Sequence, residues 1–271
     1  MSDPATDSAR PALLFVPDIS GFTQFVKDID IAHSRHIIEE LLEKLIEAND
    51  MGLEVSEVEG DAILFYRFGS PPSAEAFFQQ VQKMFVAFHG HLRLYETQRI
   101  CQCGACIAAQ HLTLKIVAHY ARITQSRIKE HVKLFGQDVI MVHRLLKNDI
   151  AHHEYALFTQ ALVNEWPQAS TSPWAQPEES ALEYDVGRIN CCYVPLAPLR
   201  QRVPEPHVED FSIPGVTVPL FSCEHEVHAP LSLVLRVLFT LLFKKKLTNR
   251  FQASGEKLKH YCEALYNSQR A

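Results

Sequence analysis

Two aspartates carry the chemistry most readily read from this chain of 271 residues. Asp18 stands in Leu14-Phe15-Val16-Pro17-Asp18-Ile19-Ser20-Gly21-Phe22-Thr23, an apolar run that reads as a β-strand ending in a carboxylate and turning at once into a helix. Asp61 stands in Val58-Glu59-Gly60-Asp61-Ala62, a tight turn that opens a second apolar strand. Carboxylates at the ends of adjacent strands can hold two divalent metal ions. The turn Ser20-Gly21-Phe22-Thr23 predicts backbone N–H groups at a helix N-terminus, a setting that binds phosphate. Metal plus phosphate cradle is the core of a nucleotide site. Taken singly, each aspartate has a structural alternative: Asp18 as a helix cap and Asp61 as a turn residue.

The elements that must position these groups follow from hydrophobic patterning. Residues 12–16 form a continuous apolar run, the mark of a buried central strand. Ile37, Ile38, Leu41, Leu42, Leu45 and Ile46 recur at helical spacing and predict an amphipathic helix to about residue 49. Residues 54–58 and 62–68 predict a hairpin around Gly60-Asp61, and Phe77, Phe78, Val81, Met84, Phe85 and Phe88 a second long helix over 73–94. Two further strands are expected between 112 and 128, a helix over 139–146, a strand at 155–158 and a short helix over 160–165. Residues 167–179 read as a surface loop, and 182–196 as a closing strand pair or long strand. The order predicts an α+β fold, a ferredoxin-like α/β sandwich with helices on one mainly antiparallel sheet. The expected organisation is a disordered N-terminus at 1–10, a main domain at 11–199, a proline-rich linker at 200–219 and a strand–helix extension at 220–271.

With those residues in view, the chain resembles the catalytic domain of class III nucleotide cyclases, the adenylate and guanylate cyclases. The likeness rests on Asp18-Ile19-Ser20-Gly21-Phe22-Thr23, on Gly60-Asp61, and on Gly136-Gln137-Asp138-Val139-Ile140-Met141-Val142-His143-Arg144. The resemblance implies that Asp18, Asp61 and the Ile19 carbonyl hold two Mg²⁺ or Mn²⁺ ions. It implies that Ser20, Gly21, Phe22 and Thr23 hold the triphosphate, and that Arg144 neutralises charge on the phosphates. It places base recognition at Glu57, four residues before Asp61, and Lys133, three before Gly136. A glutamate there accepts from guanine N1–H and amine, and a lysine donates to guanine O6, so the pair suits GTP better than ATP. The alternative is a surface ion pair. The resemblance further implies a homodimer, with metal residues from one subunit and base and arginine residues from the other. Two departures bear on turnover: Ile140 replaces the family's ribose-orienting asparagine, and the family's late phosphate-binding lysine has no evident counterpart. The expected activity is conversion of a purine nucleoside triphosphate to cyclic nucleotide and pyrophosphate; the alternative is a degenerate domain acting as a nucleotide sensor or dimerisation scaffold. The whole chain also resembles a bacterial family of cyclase-like proteins without an assigned function, on Cys-x-Cys-x-x-Cys and His-Arg-Leu-Leu-Lys-Asn.

Cys101, Cys103 and Cys106 have a spacing that can hold zinc if a fourth ligand joins them, with His89, His91, His111 or a cysteine elsewhere as candidates. The alternative is buried free thiols; Cys191 and Cys192 lie in an apolar strand and read as core. His119 and His143 read as structural histidines, and His152 and His153 as a solvated loop. A net charge of −6 disfavours general nucleic-acid binding. Seven cysteines without a signal-peptide pattern point to a cytoplasmic, reduced protein. The apolar run at 231–243, followed by lysines to 246, could touch a membrane surface, although an intrachain packing helix is the plainer reading. No Ser-His-Asp, Walker or Rossmann pattern is present.

Overall fold

The computed structural model describes residues 8–21, 25, 31–98, 104–128, 131–166, 172–184, 187–205, 212–213 and 216–217. In chain order these form β1 (Arg10–Ser20), α1 (Ile31–Glu47), β2 (Glu54–Glu59), β3 (Ala62–Phe68), α2 (Ala74–Gln98), α3 (Gly104–Ala108), β4 (Thr113–Ile128) and β5 (His131–Phe135). There follow α4 (Gln137–Leu145), β6 (Tyr155–Thr159), α5 (Gln160–Val163), β7 (Glu178–Tyr184), β8 (Gly187–Pro195) and the two-residue pair β9 (Ser212–Ile213) and β10 (Val216–Thr217). The described residues fall into two compact units, one within 1–22, 38–89 and 112–204, the other within 23–37, 90–111 and 205–271.

The first unit is an α+β sandwich on one sheet of order β2-β3-β1-β4-β6-β8-β7, with β5 paired to the far end of β4. Every pairing is antiparallel except β4 with β6. The continuous apolar run of β1 has its reason in this order: β1 lies between β3 and β4, and residues from Ala12 to Ile19 are buried on both faces. One face carries Phe15 and Phe158 against Phe77 and Phe78 of α2, whose rings meet edge-on at 5.5 to 6.0 Å. The other carries Leu14, Val16, Leu64, Tyr66, Val117 and Leu157 beneath Val139, Val142 and Leu145 of α4.

Three expectations change. The stretch 113–128 is a single strand: its first eleven residues pair with β1 and its last five with β5, so one strand crosses the sheet and continues as a two-stranded arm. Glu178 and Glu179, expected in a loop, already pair with Tyr193 and Cys192 of β8. The prolines after 195 do not prevent local order, because Ala197–Arg202 form a 3₁₀ turn with Leu199 wholly buried. The extension expected over 220–271, including 231–246, lies outside the described residues. No helix among the described residues is long and apolar enough to cross a membrane. In the second unit, His91 and Tyr95 stack edge-on at 5.7 Å and Arg93 pairs with Glu205 at 3.0 Å.

A buried polar knot at Glu154 fastens the 3₁₀ turn and α2 to the start of β6. Glu154 Oε1 lies 2.6 Å from His89 Nε2, and its Oε2 accepts from Arg200 Nη2 at 2.8 Å and Nε at 3.1 Å. Burial works to raise the Glu154 pKa, but the hydrogen bonds and charges of His89 and Arg200 outweigh it and leave it below the usual range. Replacing Glu154 by Ala takes the carboxylate from the buried His89 and removes the Arg200 fork. We expect a loss of about 3 kcal/mol in urea denaturation at neutral pH; a loss under about 1 kcal/mol contradicts the structural role.

Candidate functional site

The hairpin and the central strand bring the two aspartates together. β1 and β3 run antiparallel with Asp18 opposite Ala62, so Asp61 is one residue from direct register. The Ile19 N–H donates to the Asp61 carbonyl at 2.9 Å and ties the hairpin turn to β1 at this point. The β1–β3 ladder skips Val16 and Pro17 just before Asp18, where Pro17 has no N–H to give. Gly60 takes φ +63°, the left-handed conformation a tight turn requires. β1 does not end at Asp18: it runs to Ser20, which pairs with Thr113, and the chain turns at Gly21 with φ +92°. Phe22 and Thr23, with the expected start of the phosphate-binding helix, lie outside the described residues.

Asp18 is 8% exposed, and its Oδ2 pairs with Lys115 Nζ at 2.8 Å. Lys115 lies directly across β4 from Asp18 in register. Burial and the negative charge of Asp18 push the Asp61 carboxyl up to about 6, against smaller opposing effects of a backbone hydrogen bond and Lys115. A carboxylate held in so unfavourable a place marks a site that a cation would relieve. Among the described residues no group of three or more His, Cys, Asp or Glu side chains is arranged to hold a metal ion. The donor set nonetheless fits Mg²⁺ or Mn²⁺ held beside a nucleotide, since such ions take one or two carboxylates and complete their shells with phosphate and water.

The helix expected near Arg144 is α4, on the same side of the sheet as Asp18. Val139, Val142 and Leu145 face the sheet, whereas Ile140 is 57% exposed and shares its face with Arg144 four residues on. His143 lies 3.9 Å from Glu57 and 3.8 Å from Glu59. Glu57 reaches this side through a bulge: Val55 pairs with Phe65 and Glu57 with Leu64, leaving Ser56 extra. Without the extra residue Glu57 would turn to the opposite face. Lys133 is exposed on β5, opposite Ser126. Strand alternation sends it to the face away from Leu134, whose side chain joins the core under α4. β5 also lies against β2, the strand that carries Glu57.

His119 is structural, as expected. Burial depresses its pKa against the opposing pull of Asp138. Its Nε2 is 3.0 Å from Asp138 of α4 and its Nδ1 is 2.7 Å from Thr159 of β6. With Asp138 ionised, Nε2–H donates to it and Nδ1 accepts from the threonine hydroxyl. Sequence reasoning missed Lys115, because a lysine in an alternating strand reads as solvated. Cys101 and Cys103 lie outside the described residues, as does the Cys106 side chain; of the suggested fourth ligands, His89 is engaged by Glu154. Cys191 and Cys192 are buried free thiols, and burial raises Cys191 to about 11.

This architecture is shared with solved nucleotide cyclases. A bacterial light-regulated adenylyl cyclase matches with a TM-score of 0.52 at 14% identity, over 72% of this chain and 56% of that one. The guanylyl cyclase Cya2 matches with 0.50 at 15% identity, over 69% and 92%. The guanylate cyclase domain of RhGC from Catenaria anguillulae, solved with GTP, matches with 0.50 at 14%, over 69% and 97%. At such identities the likeness is one of fold: the first unit has the cyclase-type fold. Residues 38–155 match a family described as "Protein of unknown function (DUF2652)". The "Uncharacterized protein Rv2561/Rv2562" of Mycobacterium tuberculosis is 32% identical over 158 residues, 58% of this chain and 73% of that protein, and the chain belongs to its family.

The raised Asp61 has a stability consequence. Its contribution is favourable below the ordinary carboxylate range and is lost as pH rises through about 6. Asp61→Asn should therefore stabilise the protein at pH 7.5 by about 1 to 2 kcal/mol after solvent screening, and the gain should fade at pH 5. Urea denaturation at the two pH values checks this; equal effects at both contradict the electrostatic picture.

Proposed function

We propose that this protein is a divergent class III-type nucleotide cyclase that binds a purine nucleoside triphosphate, GTP in preference to ATP. The reading is carried by one observation: two carboxylates, Asp18 and Asp61, are held side by side at the tip of the central strand pair, where burial, and after it the charge of Asp18, raises the Asp61 carboxyl. Asp18, Asp61 and the Ile19 carbonyl would hold two Mg²⁺ or Mn²⁺ ions, which would activate the ribose 3′-hydroxyl and offset phosphate charge. The 3′-oxygen attacks the α-phosphorus, the bond to the bridging oxygen breaks, the hydroxyl proton is lost to solvent, and pyrophosphate leaves. Arg144, half-buried in the last turn of α4, would exchange its present contacts for the phosphates, which its planar fork suits. Glu57 accepts from guanine N1–H and amine. Lys133 donates to guanine O6, and in this reading a homodimer brings the base and arginine residues of one subunit to the metal residues of the other.

The second reading, a nucleotide-binding sensor or scaffold, is favoured by Ile140. An exposed isoleucine on the face of Arg144 supplies no hydrogen bond to orient a ribose.

Purified protein with Mn²⁺ and either GTP or ATP should form cyclic product, detected by mass spectrometry, with GTP preferred. Asp18→Ala should lose the product; product that persists in this variant removes the site assignment, and binding without turnover selects the sensor. Because Ile140 is exposed, Ile140→Asn should change stability by no more than about 0.5 kcal/mol. It should raise turnover roughly tenfold if only orientation was lost; unchanged turnover shows that position 140 does not orient the substrate.

A further inference from the structure

The mechanism above leaves Lys115 unassigned, although it is the cation built into the site. Its Nζ pairs with Asp18 Oδ2 at 2.8 Å and donates to the Leu146 carbonyl at 3.0 Å. The lysine and aspartate side chains are 19% and 11% exposed, so the pair is only weakly screened. Leu146 is the C-cap of α4. The neighbouring carbonyls are served by others: Leu145 by Asn148 Nδ2 at 2.7 Å, and Arg144 by the Lys147 N–H at 2.9 Å. One ammonium thus answers both a metal-site carboxylate and the negative end of the helix that carries His143 and Arg144.

A divalent ion on Asp18 would bring two positive charges within a few ångströms of that ammonium. Such repulsion is large in a half-buried site, and a flexible four-carbon stem lets lysine withdraw. We propose that Lys115 is the resident counter-ion of the carboxylate pair, a positioning residue that a divalent cation displaces from Asp18, and that its displacement loosens the last turn of α4. The inference rests on the metal-site reading above but does not need turnover.

The test is Mn²⁺ titration at fixed pH, followed by electron paramagnetic resonance of free Mn²⁺, with hydrogen exchange over residues 144–150. Lys115→Met keeps the apolar stem and should bind Mn²⁺ roughly tenfold more tightly than wild type. Lys115→Arg keeps the charge and should stay within about twofold. In wild type, Mn²⁺ should speed exchange over 144–150; in Lys115→Met that exchange should be fast already and indifferent to Mn²⁺. Binding that appears only in Lys115→Met keeps Lys115 as the counter-ion of Asp18 and overturns its displacement by the cation. Equal or weaker binding in a folded Lys115→Met overturns it while leaving the metal site standing, as does Lys115→Arg binding as tightly as Lys115→Met. Wild-type exchange unmoved by Mn²⁺ overturns the coupling to α4. No binding in any variant overturns the proposal and the metal reading together.

Discussion

Like-charge crowding at the tip of the β1–β3 pair is the constraint around which the site is arranged. An antiparallel register puts Asp18 across from Ala62, and the Ile19 N–H to Asp61 carbonyl bond holds the next residue beside it. Two carboxylates so placed repel each other, and burial withholds water from both. The chain answers with one internal cation, Lys115, and with a carboxyl at Asp61 that ionises only near pH 6. A fold gains nothing in stability from such an arrangement. Local instability at a half-buried, charged point of the sheet is the pattern functional sites often show.

The rest of the first unit serves to hold this point still and to bring α4 over it. Lys115, Val117 and His119 share one face of β4, across from Asp18, Val16 and Leu14 of β1. The apolar middle packs under Val139, Val142 and Leu145, while the two polar ends tie α4 at Asp138 and at Leu146. The helix is thereby fixed at both ends to the strand beside the aspartates. The bulge at Ser56 then turns Glu57 to the same side, within ion-pairing reach of His143. These local devices, and not residue identity alone, assemble a site from segments far apart in sequence.

Much of this was legible in the residues. The apolar run of β1, the Gly60-Asp61 hairpin and the helical spacing of the phenylalanines in α2 each declared an element through its own period. The paired aspartates suggested a site because both read as strand–turn junctions, although β1 runs on past Asp18 to Ser20. What was not legible depended on pairing partners. The strand over 113–128 looked like two because its partners change partway, not because its pattern breaks. Lys115 and Glu154 are charged residues whose burial comes only from distant neighbours, so their spacing carries no sign of it. Glu57 takes the side of α4 only because Ser56 is extra in the β2–β3 ladder, which its motif position does not show. Motif spacing locates backbones; the face a side chain takes depends on register.

The central claim is that Asp18 and Asp61 form a metal-dependent nucleotide site. It is tested most directly by titrating a fluorescent GTP analogue into the protein with Mn²⁺ present and with Mn²⁺ chelated, in wild type and in Asp61→Asn. The account predicts saturable binding with Mn²⁺ that is lost both on chelation and in the variant. Binding indifferent to both would contradict it, and would leave the crowded carboxylates without the role assigned to them.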